Sequence, residues 1–236
     1  MRAQRGERAA YAPIVSPLAG TSDPVDIARG YLAVYPFRRI YVADLDGIEG
    51  RGRDDASLER LRAAVPDVEL WVDNGLADEE SCRAWLARDL GRLVLGSESQ
   101  CDPGLAERLG AVLSLDFRAE ENASARSREV FLGPPRLLED ADLWPAEVVV
   151  MTLARVGSSL GPDTERVASI RARARRSRIF AAGGVRHAAD VAALEAAGAA
   201  GALVASALHD GRIGRRELAA LTRRIPPGAG PETASA

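Results

Sequence analysis

Short apolar runs recur along the chain at residues 39–43, 68–72, 93–95, 111–115, 148–151, 179–181 and 202–205. Each leads into a glycine-bearing turn and then a stretch of helical period, a rhythm that predicts parallel βα units. Runs such as Glu147-Val148-Val149-Val150-Met151 do not alternate apolar with polar residues, as expected of a parallel strand covered on both faces. Between the runs, residues 56–65, 78–89, 162–173 and 188–197 read as helices. Pro24, Pro103 and Pro162 fit helical first turns, where a missing N–H costs little, and Ser22 and Asp102 are candidate caps.

Seven strands are one short of a closed eight-stranded barrel, and a doubly wound open sheet is the alternative. A weak internal repeat favours the barrel. Leu70-Trp71-Val72-Asp73-Asn74-Gly75-Leu76 followed by residues 93–98 has the rhythm of Ile179-Phe180-Ala181-Ala182-Gly183-Gly184-Val185 followed by residues 203–207. Two such halves predict an α/β fold, a TIM (β/α)8-type barrel lacking its first strand in this chain. The expected origin of that gap is a true start upstream of Met1; the alternatives are that residues 12–18 fold back into it or that a second chain covers it, and self-association is expected.

Composition narrows the class further. The 236 residues, 47% hydrophobic, suffice for one barrel domain over residues 1–225, with 226–236, rich in Pro, Gly, Ala and Ser, expected to be a disordered tail. Thirty-one basic and 34 acidic residues give a net charge of -3, which argues against a general nucleic-acid binder. No run approaches the ~18 apolar residues of a membrane span, and residues 1–11 lack the apolar segment of a signal peptide, so a cytoplasmic location is expected. Cys82 and Cys101 are too few for a disulfide framework or structural zinc site, and His187 and His209 stand on no metal motif; no metal and no cofactor is expected.

In the order of its segments, the chain resembles the histidine-biosynthesis barrel family. That family includes the ProFAR isomerase, the cyclase subunit of imidazole glycerol phosphate synthase, and a further branch found in organisms that use tetrahydromethanopterin or methanofuran C1 carriers. Val42-Ala43-Asp44-Leu45-Asp46-Gly47 matches the family's second strand, Ser114-Leu115-Asp116 its fifth, Ala154-Arg155 with Gly157, Gly161 and Pro162 its sixth-strand loop, and Ala182-Gly183-Gly184-Val185 its seventh. Arg155-Val156-Gly157-Ser158 and Ala205-Ser206-Ala207-Leu208-His209-Asp210-Gly211 are most similar to the C1-carrier branch.

The resemblance implies an aldose-to-ketose rearrangement run by two aspartates, one ending strand 1 and one ending strand 5. Asp116 matches the second; the first has no counterpart. Asp44 and Asp46, two apart, would share one side of a continuing strand, so either is a candidate partner, the alternative being a network that locks the barrel mouth. Gly183 and Gly184 with Ala205 and Ser206 are the candidate phosphate site, through backbone N–H groups in turns and at a helix start, although tight turns need glycine anyway. Asp73 and Asn74 fall where the two histidine enzymes carry phosphate-holding glycines, and Asp73 there would repel a phosphate. Arg155, Ser158 and His209 are further ligand-contact candidates, and Arg186 could add positive potential. Met151 and Val156 stand where the isomerase has a threonine and a loop aspartate, which argues against ProFAR isomerase activity itself.

The expected function is thus a phosphosugar or phosphorylated-metabolite isomerase with carboxylate acid–base chemistry, in C1-carrier cofactor biosynthesis. The competing expectation is a non-catalytic binding or assembly protein that retained the barrel.

Overall fold

The computed structural model describes residues 12–120, 128–158 and 160–222. Eight strands lie in one sheet: β1 (Arg39–Ala43), β2 (Glu69–Asp73), β3 (Arg92–Gly96), β4 (Val112–Glu120), β5 (Arg128–Leu132), β6 (Glu147–Thr152), β7 (Arg178–Ala182) and β8 (Gly201–Leu203). Their order is β1-β2-β3-β4-β6-β7-β8, all parallel, with β5 hanging antiparallel from β4. The helices are α1 (Pro24–Val34), α2 (Leu45–Ile48), α3 (Asp55–Ala64), α4 (Glu79–Leu86), α5 (Leu105–Leu109), α6 (Pro135–Glu139), α7 (Thr164–Arg173), α8 (Ala188–Ala196), α9 (Ser206–His209) and α10 (Arg215–Thr222).

Local chemistry sets most boundaries. Asp23, Asp54, Asp78 and Asp163 cap α1, α3, α4 and α7 through side-chain oxygens that accept early backbone N–H groups. The cap of α1 is thus Asp23 rather than the expected Ser22, because Asp23 reaches Val25 N at 2.9 Å. The long helices bury one stripe each, as in Val167 and Ile170 of α7.

The strands bury both faces, and their alternate residues go to different cores. Leu93, Leu95, Leu113, Leu115, Val148 and Val150 join the large core beneath the helices. Trp71, Val94, Val112, Val149, Phe180 and Ala182 form a second core, flanked by Tyr41, Met151 and Leu203, made of strand residues alone. That second core is the barrel lumen. Trp71 on β2 and Phe180 on β7 meet edge to face at 4.9 Å although three strands of the sheet path separate them, so the sheet is curled into a nearly closed barrel. The open-sheet alternative does not survive that contact.

At the N-terminal ends of the strands, Glu147 sits with arginines around it. Arg39 and Arg178 approach at 3.4 and 3.5 Å, and Arg92 pairs with its other oxygen. Arg39 lies over the rings of both Trp71 and Phe180. This cluster plugs the barrel floor.

At the seam, β1 and β8 end the sheet path, and residues 12–18 add no strand to it among the described residues. Ser16 and Tyr31 reach instead to the two ring nitrogens of His209, at 2.8 and 2.6 Å, and so join α1 to α9 beside the seam. Residues 226–236 lie outside the described residues.

Candidate active site

The alternation that builds the lumen also selects what faces its mouth. Asp73 shares a face with Trp71, Gly96 with Val94, and Ser114 and Asp116 with Val112. These inward residues cluster at the C-terminal ends of β2, β3 and β4, the end of such barrels that carries chemistry.

Asp116 is 4% exposed. Ser114 Oγ donates to its Oδ1 at 2.7 Å, its own backbone N–H donates to Ser97 Oγ at 2.9 Å, and Ser97 in turn donates to Leu132 O at 2.6 Å. Glu98 N lies 3.4 Å from Oδ2. Burial, reinforced by the charges of Asp73 and Glu98 and opposed by the Ser114 hydrogen bond, pushes the Asp116 carboxyl up to about 8. It therefore carries a proton at neutral pH.

Gly96 lies between two carboxylates. A Cβ at Gly96 would sit 3.1 Å from Asp116 Oδ2 and 3.4 Å from Asp73 Oδ2, so these two oxygens are no farther apart than about 6.5 Å, the sum of those distances. The Tyr41 hydroxyl donates to Asp73 Oδ2 at 3.2 Å, and Gly75 N to Oδ1 at 3.3 Å. Burial first, and then the charges of Asp73, Asp116 and Glu98, hold the Tyr41 phenol well above its ordinary range.

The other candidates are distributed differently. The extended backbone on which the Asp44–Asp46 pairing depends ends at Ala43, where α2 begins to form. Asp44 accepts from Gly47 N and Asp54 N, and Asp46 is an exposed partner of Arg51. Asp44 thus holds the segment after β1. Arg155 binds the carbonyls of Gly161 and Pro162, and Ser158 bonds Arg155 O and Leu160 N, so both serve the loop after β6. Arg186 clasps Asp190 through its backbone N–H and guanidinium. Gly183 and Gly184 follow β7 with φ of 104° and 83°, and a Cβ on Gly184 would overlap Gly161 O. Their conformation lets the β6 and β7 loops pack backbone to backbone. Ala205 and Ser206 stand at the next strand end, where α9 starts. Asn74 is 1% exposed, and neither end of its amide has a hydrogen-bond partner among the described residues.

Tyr41, Gly96, Ser97, Glu98 and Ser114 were not among the sequence-derived site residues. The signals available were Ser114 two positions before Asp116 and a glycine at the end of a strand, and neither is specific without the register. Outside the lumen, the β4–β5 hairpin and α7 flank an open cleft of about 820 Å³, lined by Phe117, Glu129, Arg155 and Arg166, that Asp116 does not reach. No group of three or more His, Cys, Asp or Glu able to hold a metal occurs among the described residues.

These features define a parallel α/β barrel with a buried carboxyl site at its strand ends. The chain belongs to the histidine biosynthesis protein family, whose model matches residues 17–214. It is 30% identical over 215 residues to a Nitrobacter hamburgensis protein, covering 85% of each chain. Similar relatives occur in Halobacterium salinarum (30% identity, 81% of each chain) and Thermus thermophilus (30%, 75% of this chain and 79% of the relative). All three are named as the imidazole-4-carboxamide isomerase whose substrate carries two phosphoribosyl groups, the ProFAR isomerase.

Proposed function

We propose that this chain is an isomerase of a small phosphorylated metabolite, with Asp116 as a proton carrier in the reaction. The observation that carries the reading is Asp116 itself: a carboxyl buried at the mouth of the lumen and still protonated near neutral pH. A general acid works best with a pKa near the operating pH, and burial among other carboxylates is how a barrel raises an aspartate to that range. The names of its relatives support an isomerase of a phosphorylated sugar derivative.

The substrate phosphate is assigned to Gly183, Gly184, Ala205 and Ser206. Backbone N–H groups at adjacent strand ends and at a helix start are suited to an anion. The segments 155–158 and 205–211 favour a role in C1-carrier cofactor biosynthesis over histidine biosynthesis. Met151, the register partner of Asp116, favours a substrate other than that of the relatives.

The test is turnover by the purified chain, with the doubly phosphoribosylated imidazole carboxamide of the relatives as first probe. The intermediate accumulated by a deletion strain is the second. Conversion of either, lost in Asp116→Asn and inhibited by millimolar inorganic phosphate, supports the reading. Inertness toward both, with no phosphate binding, overturns it in favour of a non-catalytic binding protein.

A further inference from the structure

We infer that Asp73 is the second acid–base carboxylate of this site, working with Asp116 across the side-chain-free position at Gly96. The inference rests on the isomerase reading and supplies the partner that Asp44 and Asp46 do not.

The geometry comes from three adjacent strands. Asp73 ends β2, Gly96 ends β3 and Asp116 lies within β4, all on the inner face. Any side chain at position 96 would stand against both carboxylates, since even a Cβ falls within 3.1 and 3.4 Å of their oxygens. The backbone does not require glycine there, because φ -72° and ψ 130° are ordinary strand values. What glycine at position 96 provides is space beside both Asp73 and Asp116. Tyr41 from β1 and the backbone N–H of Gly75 hold Asp73 by hydrogen bonds to Oδ2 and Oδ1. Directly after Asp73, the buried Asn74 amide satisfies neither its donor nor its acceptor within the described residues. Buried amides are costly to leave so, and such a group beside an acid pair marks a place for a polar ligand.

Two buried carboxylates this close resist ionising together, and the charge of Asp73 is among the causes that hold the Asp116 carboxyl up, with Tyr41 and Glu98 further titratable groups around the pair among the described residues. One protonated and one ionised carboxyl are what a 1,2-isomerisation of a sugar bearing nitrogen on carbon 1 needs. Asp116 gives its proton to the ring oxygen, whose bond to carbon 1 breaks as a nitrogen lone pair forms the C=N bond. Asp73 takes the proton from carbon 2, and that C–H electron pair becomes the C=C bond of an enol as the C=N π pair returns to nitrogen. Asp73 then returns the proton to carbon 1 while the carbon 2 hydroxyl gives its proton to Asp116 and becomes the ketone. Both carboxyls end as they began, and no oxidant or further proton is needed.

The test uses the full chain and the variants Asp73→Asn and Gly96→Ala. Carboxyl 13C NMR should show the Asp116 midpoint falling by one pH unit or more in Asp73→Asn, and an unchanged midpoint overturns the coupling. On a probe that the wild type converts, kcat should fall by about 100-fold or more in Asp73→Asn and about 10-fold in Gly96→Ala, with KM within about threefold and one limb of the pH profile lost. Retained kcat and profile in both variants, in a wild type that turns over and an Asp116→Asn that does not, overturn the role of Asp73 alone. A wild type inert toward every probe overturns the isomerase reading and the catalytic role together, while the titration still decides whether the two acids are coupled.

Discussion

Glu147 and Asp116 are equally buried, at 4% exposure each, yet they sit at opposite ends of one lumen in opposite company. Glu147 on the floor is met by Arg39, Arg92 and Arg178, and two of those arginines also lie against the rings of Phe180 or Trp71. Asp116 at the mouth is met by two serine hydroxyls, with Asp73 and Glu98 raising its pKa. The floor spends its surroundings on neutralising a charge; the mouth uses them to suppress one. A cluster of the first kind holds a fold together, because removing the arginines would leave the buried Glu147 carboxylate uncompensated. A buried acid of the second kind costs stability whenever it ionises, and such sites concentrate where a protein does chemistry.

Substitutions at the two ends should separate these roles. The largest expected effect is on rate: Asp116→Asn should lower kcat by about 10³-fold, measured on whichever substrate the wild type converts. The same variant should be more stable than wild type at alkaline pH. The folded pKa of about 8 lies above the unfolded carboxylate value, so the benefit of the protonated form is complete below about pH 4. It is then lost at about 1.4 kcal/mol per pH unit as pH rises toward 8, and urea denaturation across that window should show a slope that the asparagine variant lacks. At the floor, Glu147→Ala should cost about 1–3 kcal/mol in the same denaturation experiment, because the arginines it leaves are part-exposed, while kcat per folded molecule stays within about threefold. A rate loss there as large as that of Asp116→Asn would erase the distinction between the ends. The smallest effect is at Asp44, whose two backbone partners make it a cap: Asp44→Ala should cost about 1 kcal/mol. A 10³-fold loss of kcat in that variant would instead put Asp44 among the reacting groups.

The barrel was legible in the sequence because parallel strands covered on both faces read as apolar runs, and all seven expected runs became strands of the path. The hairpin was not. Residues 128–132 contain Val130-Phe131-Leu132 ahead of Gly133-Pro134, an edge-strand signal that a search for βα units passes over. At the site, Asp116 was found through resemblance and its position at a strand end. Asp73, from sequence alone, reads as a repulsion for phosphate. Its proximity to Asp116 depends on the register of β2, β3 and β4 and on an absent side chain at Gly96, and none of these is local in sequence. Arg155 and Ser158 show the opposite case: polar residues in a strand-end loop that bond their own loop's backbone.

The central claim is that the mouth keeps Asp116 protonated where the floor keeps its acid paired. Site-resolved 13C titration of the Asp116 carboxyl in the full-length wild-type chain tests it most directly. The account requires a midpoint near 8, well above the ordinary range of an aspartate. A midpoint near 4 would mean that Asp116 is an ionised carboxylate throughout the neutral range, and it would contradict both the acid role and the contrast on which that role rests.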